Sequence, residues 1–529
     1  MTVQPTMLRP ASPRPAWQVV LGLLLPLPAL VVLVTSYVEP TMWTIRTSFE
    51  RFSGIRMVTG QDSVAGSVGF DNYEKAFDDG LGGALAYALG LAAVPLLVVL
   101  LLAPALAWAA HRAGRAARWT TRGALVLPLA LFSPFGIAMA AWFAQRSQHW
   151  GYWLGSFGAF AAVAALAYLA ALRTRRSPWP GVLIVGGLAF LAVFAVALQE
   201  FTYAWVFQLP AGQGVTAEQQ AFDITFRTFN FNVGAAISTV VLVPLMVLGL
   251  LATLLVILTG LRLQVTQAEA AGPRPESRTV ALAVGGPLLV VFLVITAAGL
   301  WPWLSNLAGG SPQGAPGTFV NTWIPPLIST VVGVTLAAVA AFGISGLRPL
   351  GRHSEWLLAP FGLFLFVGSA PLAIRAYAAG STAGRLDSFL ALVPPSRLTI
   401  PALFLLALFF RGQALRRETV LQENRPAPWW SIVLPVLPML GLVYLATWVV
   451  QAQDLVWPLI TSTGDYPTAQ YVVAQARQYL DQHHAGYDQL LPIPIIILLL
   501  LAGVAAQLLY LERVALHAGL PERDHPPRT

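Results

Sequence analysis

Two short clusters in the sequence combine an amide, a carboxylate and aromatic rings. One is Gln199-Glu200 with Tyr203 and Trp205; the other is Gln453-Asp454 with Trp457. Amides and carboxylates satisfy hydroxyl groups, and indole or phenol faces cover the C–H side of a sugar ring. Together these residues could hold a polyhydroxylated solute. Each cluster follows a long apolar run, so the same residues also fit the aromatic and polar belt of a helix that meets a membrane surface. His483-His484 could bind a metal, but two adjacent imidazoles without converging ligands are ordinarily surface groups. No G-x-x-x-x-G-K-[ST] occurs, so this chain has no P-loop for ATP.

The elements that must position these clusters are apolar and long. Runs free of Asp, Glu, Lys and Arg cover 17–36, 83–110, 123–145, 153–172, 181–199, 235–261, 279–299, 322–346, 356–374, 398–410, 430–450 and 489–511. Most are apolar all round and about 20 residues long or more, which predicts twelve transmembrane helices and an all-α fold. Barrel strands would be ~10 residues of alternating polarity. The tenth run is short, and Arg397 and Arg411 at its ends are expected to include one that snorkels to the interface. The first run follows Arg9 and Arg14 but is too long for a signal-peptide core and lacks a clear A-x-A site, so it reads as a retained anchor.

Composition agrees. Of 529 residues, 57% are hydrophobic and only 10% are charged, and the mean hydropathy is +0.68. A soluble protein carries roughly 25% charged residues, so an ordinary cytosolic enzyme, a disordered chain and a secreted disulfide scaffold are excluded. The net charge of +8 suggests nucleic acid, but the distribution does not. Lys75 is the only lysine, and the arginines sit in short segments between apolar runs, where they orient helices and meet anionic lipid. With both termini in the cytoplasm, inside segments hold 21 Arg against 8 acids, and outside segments hold 10 Lys/Arg against 15 acids. Cysteine is absent, which excludes disulfides and metal–thiolate sites.

The segment 262–278, RLQVTQAEAAGPRPESR, is polar and proline-containing, and it separates six runs from six. It predicts halves at 1–261 and 279–529. "LVLPLALF" at 125–132 echoes "LLAPFGLF" at 357–364, each after a basic turn. An even number of spans per half gives both the same orientation, a parallel repeat with a site at the repeat interface.

The order of motifs resembles the membrane subunits of type I ABC importers, in the carbohydrate class that serves maltose and glycerol phosphate. In the first half these are Pro40, Thr47-Ser48-Phe49, Gly69-Phe70-Asp71-Asn72-Tyr73, Arg122, Leu127-Pro128, Ser133-Pro134 and Trp142, then "FDITFRTFNFNVGAAIS" at 222–238. The second half offers Asn321-Thr322, "AAFGISGLRPLGR" at 340–352, "GRLDSFLAL" at 384–392, "LPVLP" at 434–438 and "WPL" at 457–459. The resemblance implies a fused permease for a sugar or oligosaccharide in the cell inner membrane. It implies an external solute-binding protein and two copies of a separate ATPase subunit that carry the ATP and Mg, leaving no cofactor and no catalysis in this chain.

Such permeases dock their ATPase through a cytoplasmic helix with an E-A-A-x-x-x-G pattern. Here Arg416, Arg417, Glu418, Thr419 and Val420 stand where that helix should be, without the glycine, and Pro426 and Pro428 end any helix by Arg425. The matching first-half loop is only "RTRRSPWP" at 173–180, so Arg173, Arg175 and Arg176 are the candidate contacts there. The literal Glu269-Ala270-Ala271-Gly272 lies in the linker ahead of Pro273 and Pro275. Two other functions are compatible with the sequence. One is a non-transporting scaffold or sensor derived from a permease, favoured by the short loop. The other is a membrane glycosyltransferase using lipid-linked sugars, suggested by Asp78-Asp79.

Overall fold

The computed structural model describes residues 15–51, 66–174, 177–207, 214–266, 275–307, 317–386, 388–395, 397–478 and 487–519. Arg175, Arg176, His483, His484, both chain ends and the linker at 267–274 lie outside these residues.

The chain is an all-α protein rich in long apolar helices, as a polytopic membrane bundle requires. Among the described residues, eight helices are long and apolar enough to cross a membrane. They are α1 (Ala16–Ser48), α2 (Leu81–Ala113), α3 (Gln148–Leu172), α4 (Trp179–Val206), α5 (Phe231–Leu258), α6 (Arg278–Leu307), α7 (Thr318–Gly346) and α8 (Ile493–Arg513). A ninth is possible if Arg115–Ala130 and Pro134–Phe143, which meet at 76°, count as one span. Large apolar side chains lie bare on these helices, with Leu183 and Leu258 each 72% exposed and Leu501 68% exposed. Apolar surface on that scale has no place in water and matches hydrocarbon.

Three expected spans take other forms. Residues 356–374 are not one helix. A 3-10 run at Gly351–Leu358 leads into Ala359–Gly362, a turn, and a further 3-10 turn at Ala370–Leu372. Pro360 and Pro371 remove ladder N–H groups at both ends of this stretch. The run 398–410 belongs to a helix, Ile400–Gln422, that continues past Arg411 through the expected docking residues. Arg411 does not snorkel. It is 7% exposed, with its Nε 3.1 Å from Glu355, so an ion pair rather than water takes the charge. The run 430–450 is divided into Trp430–Val433 and Leu437–Ala452 around Pro435 and Pro438.

The first helix of each sequence region reaches beyond its own neighbours. The α1 helix rests its Glu39–Ser48 end on α5, while other parts of it bind the far part of the chain. Gln18 donates to the Leu347 carbonyl (2.6 Å), the Tyr37 hydroxyl donates to the Leu398 carbonyl (2.8 Å), and Glu39 pairs with Arg375 (2.7 Å). The α6 helix packs on α2 and α3. A Cβ at Gly299 would fall on the Leu154 carbonyl, and one at Gly285 would lie 2.9 Å from Ala109.

One small sheet closes the bundle. The segment expected to be linker begins with a strand, β1 (Arg262–Val265), which pairs antiparallel with β2 (Val514–His517) in the register Arg262↔His517 to Val265↔Val514. Each strand directly follows a long helix, α5 or α8. Pairing gives both exits from the bundle partners for their backbone groups. Ile400–Gln422 packs on β1 so tightly that a Cβ at Gly412 would overlap the Leu263 carbonyl oxygen. Gly412→Ala is therefore expected to destabilise the purified protein by about 1–3 kcal/mol. Gly441→Ala, at a helical glycine with open space around it, should not. Equal melting temperatures for the two variants would contradict this packing.

Candidate functional site at two helix breaks

The α4 helix is interrupted after Leu198, and Leu437–Ala452 ends at the matching point before Gln453. In each place the acid starts the next helix. Glu200 accepts the Tyr203 N–H at 2.8 Å, and Asp454 accepts the Trp457 N–H at 3.4 Å. That is the work of an N-cap, an oxygen satisfying an orphan donor of the first turn.

The glutamines reach across to two further breaks. Gln199 donates to the Phe366 carbonyl (2.7 Å) and accepts from the Gly368 N–H (2.7 Å). Both partners lie just ahead of Ser369-Ala370-Pro371. Gln453 accepts from the Ser133 hydroxyl (2.6 Å), immediately before Pro134, and donates to the Leu490 carbonyl (2.7 Å). The Ser369 hydroxyl donates to Asp454 (3.2 Å). Each proline-marked break is thus held by a glutamine from a distant segment.

Aromatic rings surround this junction. Trp205 meets Phe135 edge-on at 6.0 Å, and Tyr203 meets Tyr152 at 5.3 Å. The Trp457 indole donates to the Ala391 carbonyl (2.9 Å). The structure therefore brings the seven candidate residues to equivalent places, but Gln199, Gln453 and Asp454 spend their polar atoms on other parts of the chain.

Two narrow clefts lie beside the junction. One, of about 290 Å³ counted with the solvent at its mouth, is bordered by Asn321, Thr322, Gln451, Asp454, Trp457 and Gln470. The other, about 240 Å³ on the same measure, is bordered by Phe201, Glu218, Phe222, Phe226, Ala373 and Val456. Glu218 and Gln470 occupy corresponding places, each two residues after a threonine that caps a short helix. Thr216 accepts the Gln219 N–H, and Thr468 accepts the Tyr471 N–H. The sequence reading missed this pair. The recurring Thr-Ala-Glu-Gln and Thr-Ala-Gln-Tyr, each shortly after a Gln-acid dipeptide, is the signal that could have found it. Burial pushes the Glu218 carboxyl up to about 8.

The candidate docking residues also have partners within the chain. Arg173, Arg118 and Arg122 surround Glu512 at 3.4, 3.1 and 3.4 Å. Glu418 pairs with Arg348 at 3.0 Å, and Arg348 and Arg411 share Glu355. Arg416 donates to the Val265 carbonyl of β1 (3.1 Å). Arg417 donates to the Ala427 carbonyl (2.8 Å) and lies 3.9 Å over the Trp429 ring. Thr419 and Val420 continue the helix, which ends at Gln422, with Asn424 in the left-handed region. No group of three or more His, Cys, Asp or Glu among the described residues could hold a metal.

No protein-family model, curated protein or solved structure matches the chain. The class defined by the fold is a helical, multi-span membrane protein.

Proposed function

We propose that the chain is the fused permease of a type I ABC importer, with two six-span halves at 1–261 and 279–529, both termini in the cytoplasm, and a sugar or oligosaccharide as solute. The observation that carries this reading is the cross-linking of the helix breaks. A Gln-acid pair from each half meets the proline-marked break of the other, Gln199 with 366–368 and Gln453 with Ser133. Alternating access needs such a junction, where a few hydrogen bonds hold a bistable element closed. The packing of α6 on α2 and α3, the reach of α1 onto 347 and 398, and the pairing of the strands that follow α5 and α8 support a parallel repeat.

Twelve spans follow if the bent pair, the broken stretch 351–382, Ile400–Gln422 and Leu437–Ala452 each traverse the membrane with help from their neighbours. Backbone breaks at membrane depth are tolerated where protein surrounds them. Separate ATPase subunits dock mainly on 411–429, and an external binding protein delivers solute. Glu418 is 41% exposed at its side chain, so it can exchange Arg348 for a partner subunit at small cost.

The test is purification of the tagged chain from its native host in mild detergent. Two ATPase copies and a solute-binding protein are the expected companions. Replacing Glu418 should uncouple ATP hydrolysis, and replacing 173–176 should do less. Equal effects would remove the asymmetry of docking. An intact preparation without any ATPase would overturn the importer in favour of a permease-derived scaffold, favoured by the internal pairing of Arg173 and Glu418, or of a glycosyltransferase.

A further inference from the structure

Two exposed arginines, Arg112 and Arg115, flank the turn at Gly114 that joins α2 to the helix Arg115–Ala130. Gly114 has a φ of 107°, a conformation that residues with a Cβ rarely adopt. The two helices pack on each other as they leave this turn. Each arginine has a tryptophan one helical turn deeper, Trp108 on α2 and Trp119 on the other helix, and both rings are more than a third exposed. The Arg115 guanidinium lies 4.6 Å over the Trp119 ring, which orients it. Further along the two helices the bare surface is apolar, with Leu101 64% and Leu127 41% exposed.

This end of the bundle carries an excess of positive charge. Among the described residues no carboxylate pairs with Arg112. Next to the turn, Arg118, Arg122 and Arg173 share Glu512, so that hub sets three guanidinium groups against one carboxylate. The arrangement selects among anions. A free phosphate would meet the arginines and gain nothing from the tryptophans. An acidic protein segment would have to lie against helix faces whose apolar side chains suit hydrocarbon. A phospholipid brings a phosphodiester to the level of the arginines and acyl chains to the level of the indoles and leucines. We propose that the turn at Gly114 is a binding site for an anionic phospholipid, its phosphodiester held by Arg112 and Arg115 and its acyl chains lying along Trp108 and Trp119. The site needs only that the chain is a membrane protein and does not depend on the importer reading.

The test is native mass spectrometry of the full chain in detergent, titrated with dioleoylphosphatidylglycerol. Dioleoylphosphatidylcholine and inorganic phosphate are the comparison probes. Phosphatidylglycerol should bind saturably and more tightly than phosphatidylcholine, and inorganic phosphate should not displace it. Arg112→Gln and Arg115→Gln should each weaken its binding about fivefold, the contribution of one arginine at a lipid surface. The double variant should weaken it at least tenfold. Trp119→Leu, which keeps both charges, should weaken it by a smaller factor. Arg352→Gln with Arg425→Gln removes the same charge at two other exposed arginines and should leave the affinity unchanged. Equal affinity for phosphatidylcholine would reduce the site to general lipid contact. Displacement by inorganic phosphate would make it a free-anion site. Equal losses in the Arg352 and Arg425 pair would leave only long-range attraction. Any of these results, or full affinity in the Arg112 and Arg115 double variant, would overturn the proposal.

Discussion

Glu512→Gln is expected to lower the stability of the purified protein by about 3–5 kcal/mol, among the largest effects of any single polar substitution in this chain. Glu512 is the anion between Arg118, Arg122 and Arg173, and all four side chains are 12% exposed or less. The Arg122 guanidinium also donates to Gln507 (2.9 Å), so it cannot swing out to water without losing a second contact. Removing one carboxylate leaves three guanidinium groups crowded in a poorly hydrated place. The cost is mainly that of uncompensated charge rather than of the lost bonds. Arg118→Gln in the Glu512→Gln background should therefore recover part of the loss, because neighbouring sites couple. Glu423→Gln is the control, since its pair with Arg425 is more than half exposed on both sides. A melting temperature for Glu512→Gln equal to that control would refute the buried hub.

Gln199→Leu and Gln453→Leu are expected to open the junction. Gln199 makes two hydrogen bonds across its break and Gln453 one across its own. At ~0.5–1.5 kcal/mol each, losing two shifts an open–closed equilibrium by roughly five- to 150-fold. Because the chain has no cysteine, a single introduced thiol reports this without background. Ala373 is 2% exposed on the helix after one break, and Ala138 is fully buried on the helix after the other. Alkylation of Ala373→Cys by a water-soluble maleimide should accelerate in the Gln199→Leu background, and that of Ala138→Cys, to a lesser degree, in the Gln453→Leu background. Unchanged rates in both would mean that packing, not these amides, keeps the breaks closed.

The long spans were legible because an uncharged apolar run has few other ways to exist. Leu81–Ala113 and Phe231–Leu258 follow directly from composition. The broken spans were not. Pro360 and Pro371 are visible in the sequence, but whether a proline kinks a helix or ends it depends on which neighbour takes the freed carbonyls. Here Gln199 does so from 167 residues away. The candidate residues were found at corresponding positions because amides and acids are rare in apolar sequence. Their roles were hidden because a cap and a solute ligand look alike until the partner is known. Arg411 illustrates the same limit. The sequence shows a charge at the end of a short run, and only the fold reveals Glu355 beside it.

The antiparallel pairing of Arg262–Val265 with Val514–His517 has a consequence for how the protein is made. A ribosome releases β1 near the midpoint of synthesis, about 250 residues before its mate, at the 5–20 residues per second typical of translation. During that interval the strand is an open edge, the kind of surface that recruits wrong partners. The α1 helix waits as well, since Leu347 and Leu398, the carbonyls it binds, emerge later still. Neither α1 nor β1 has all its partners until the later part of the chain is made. A chain that stops before Val514 keeps β1 as an unpaired edge.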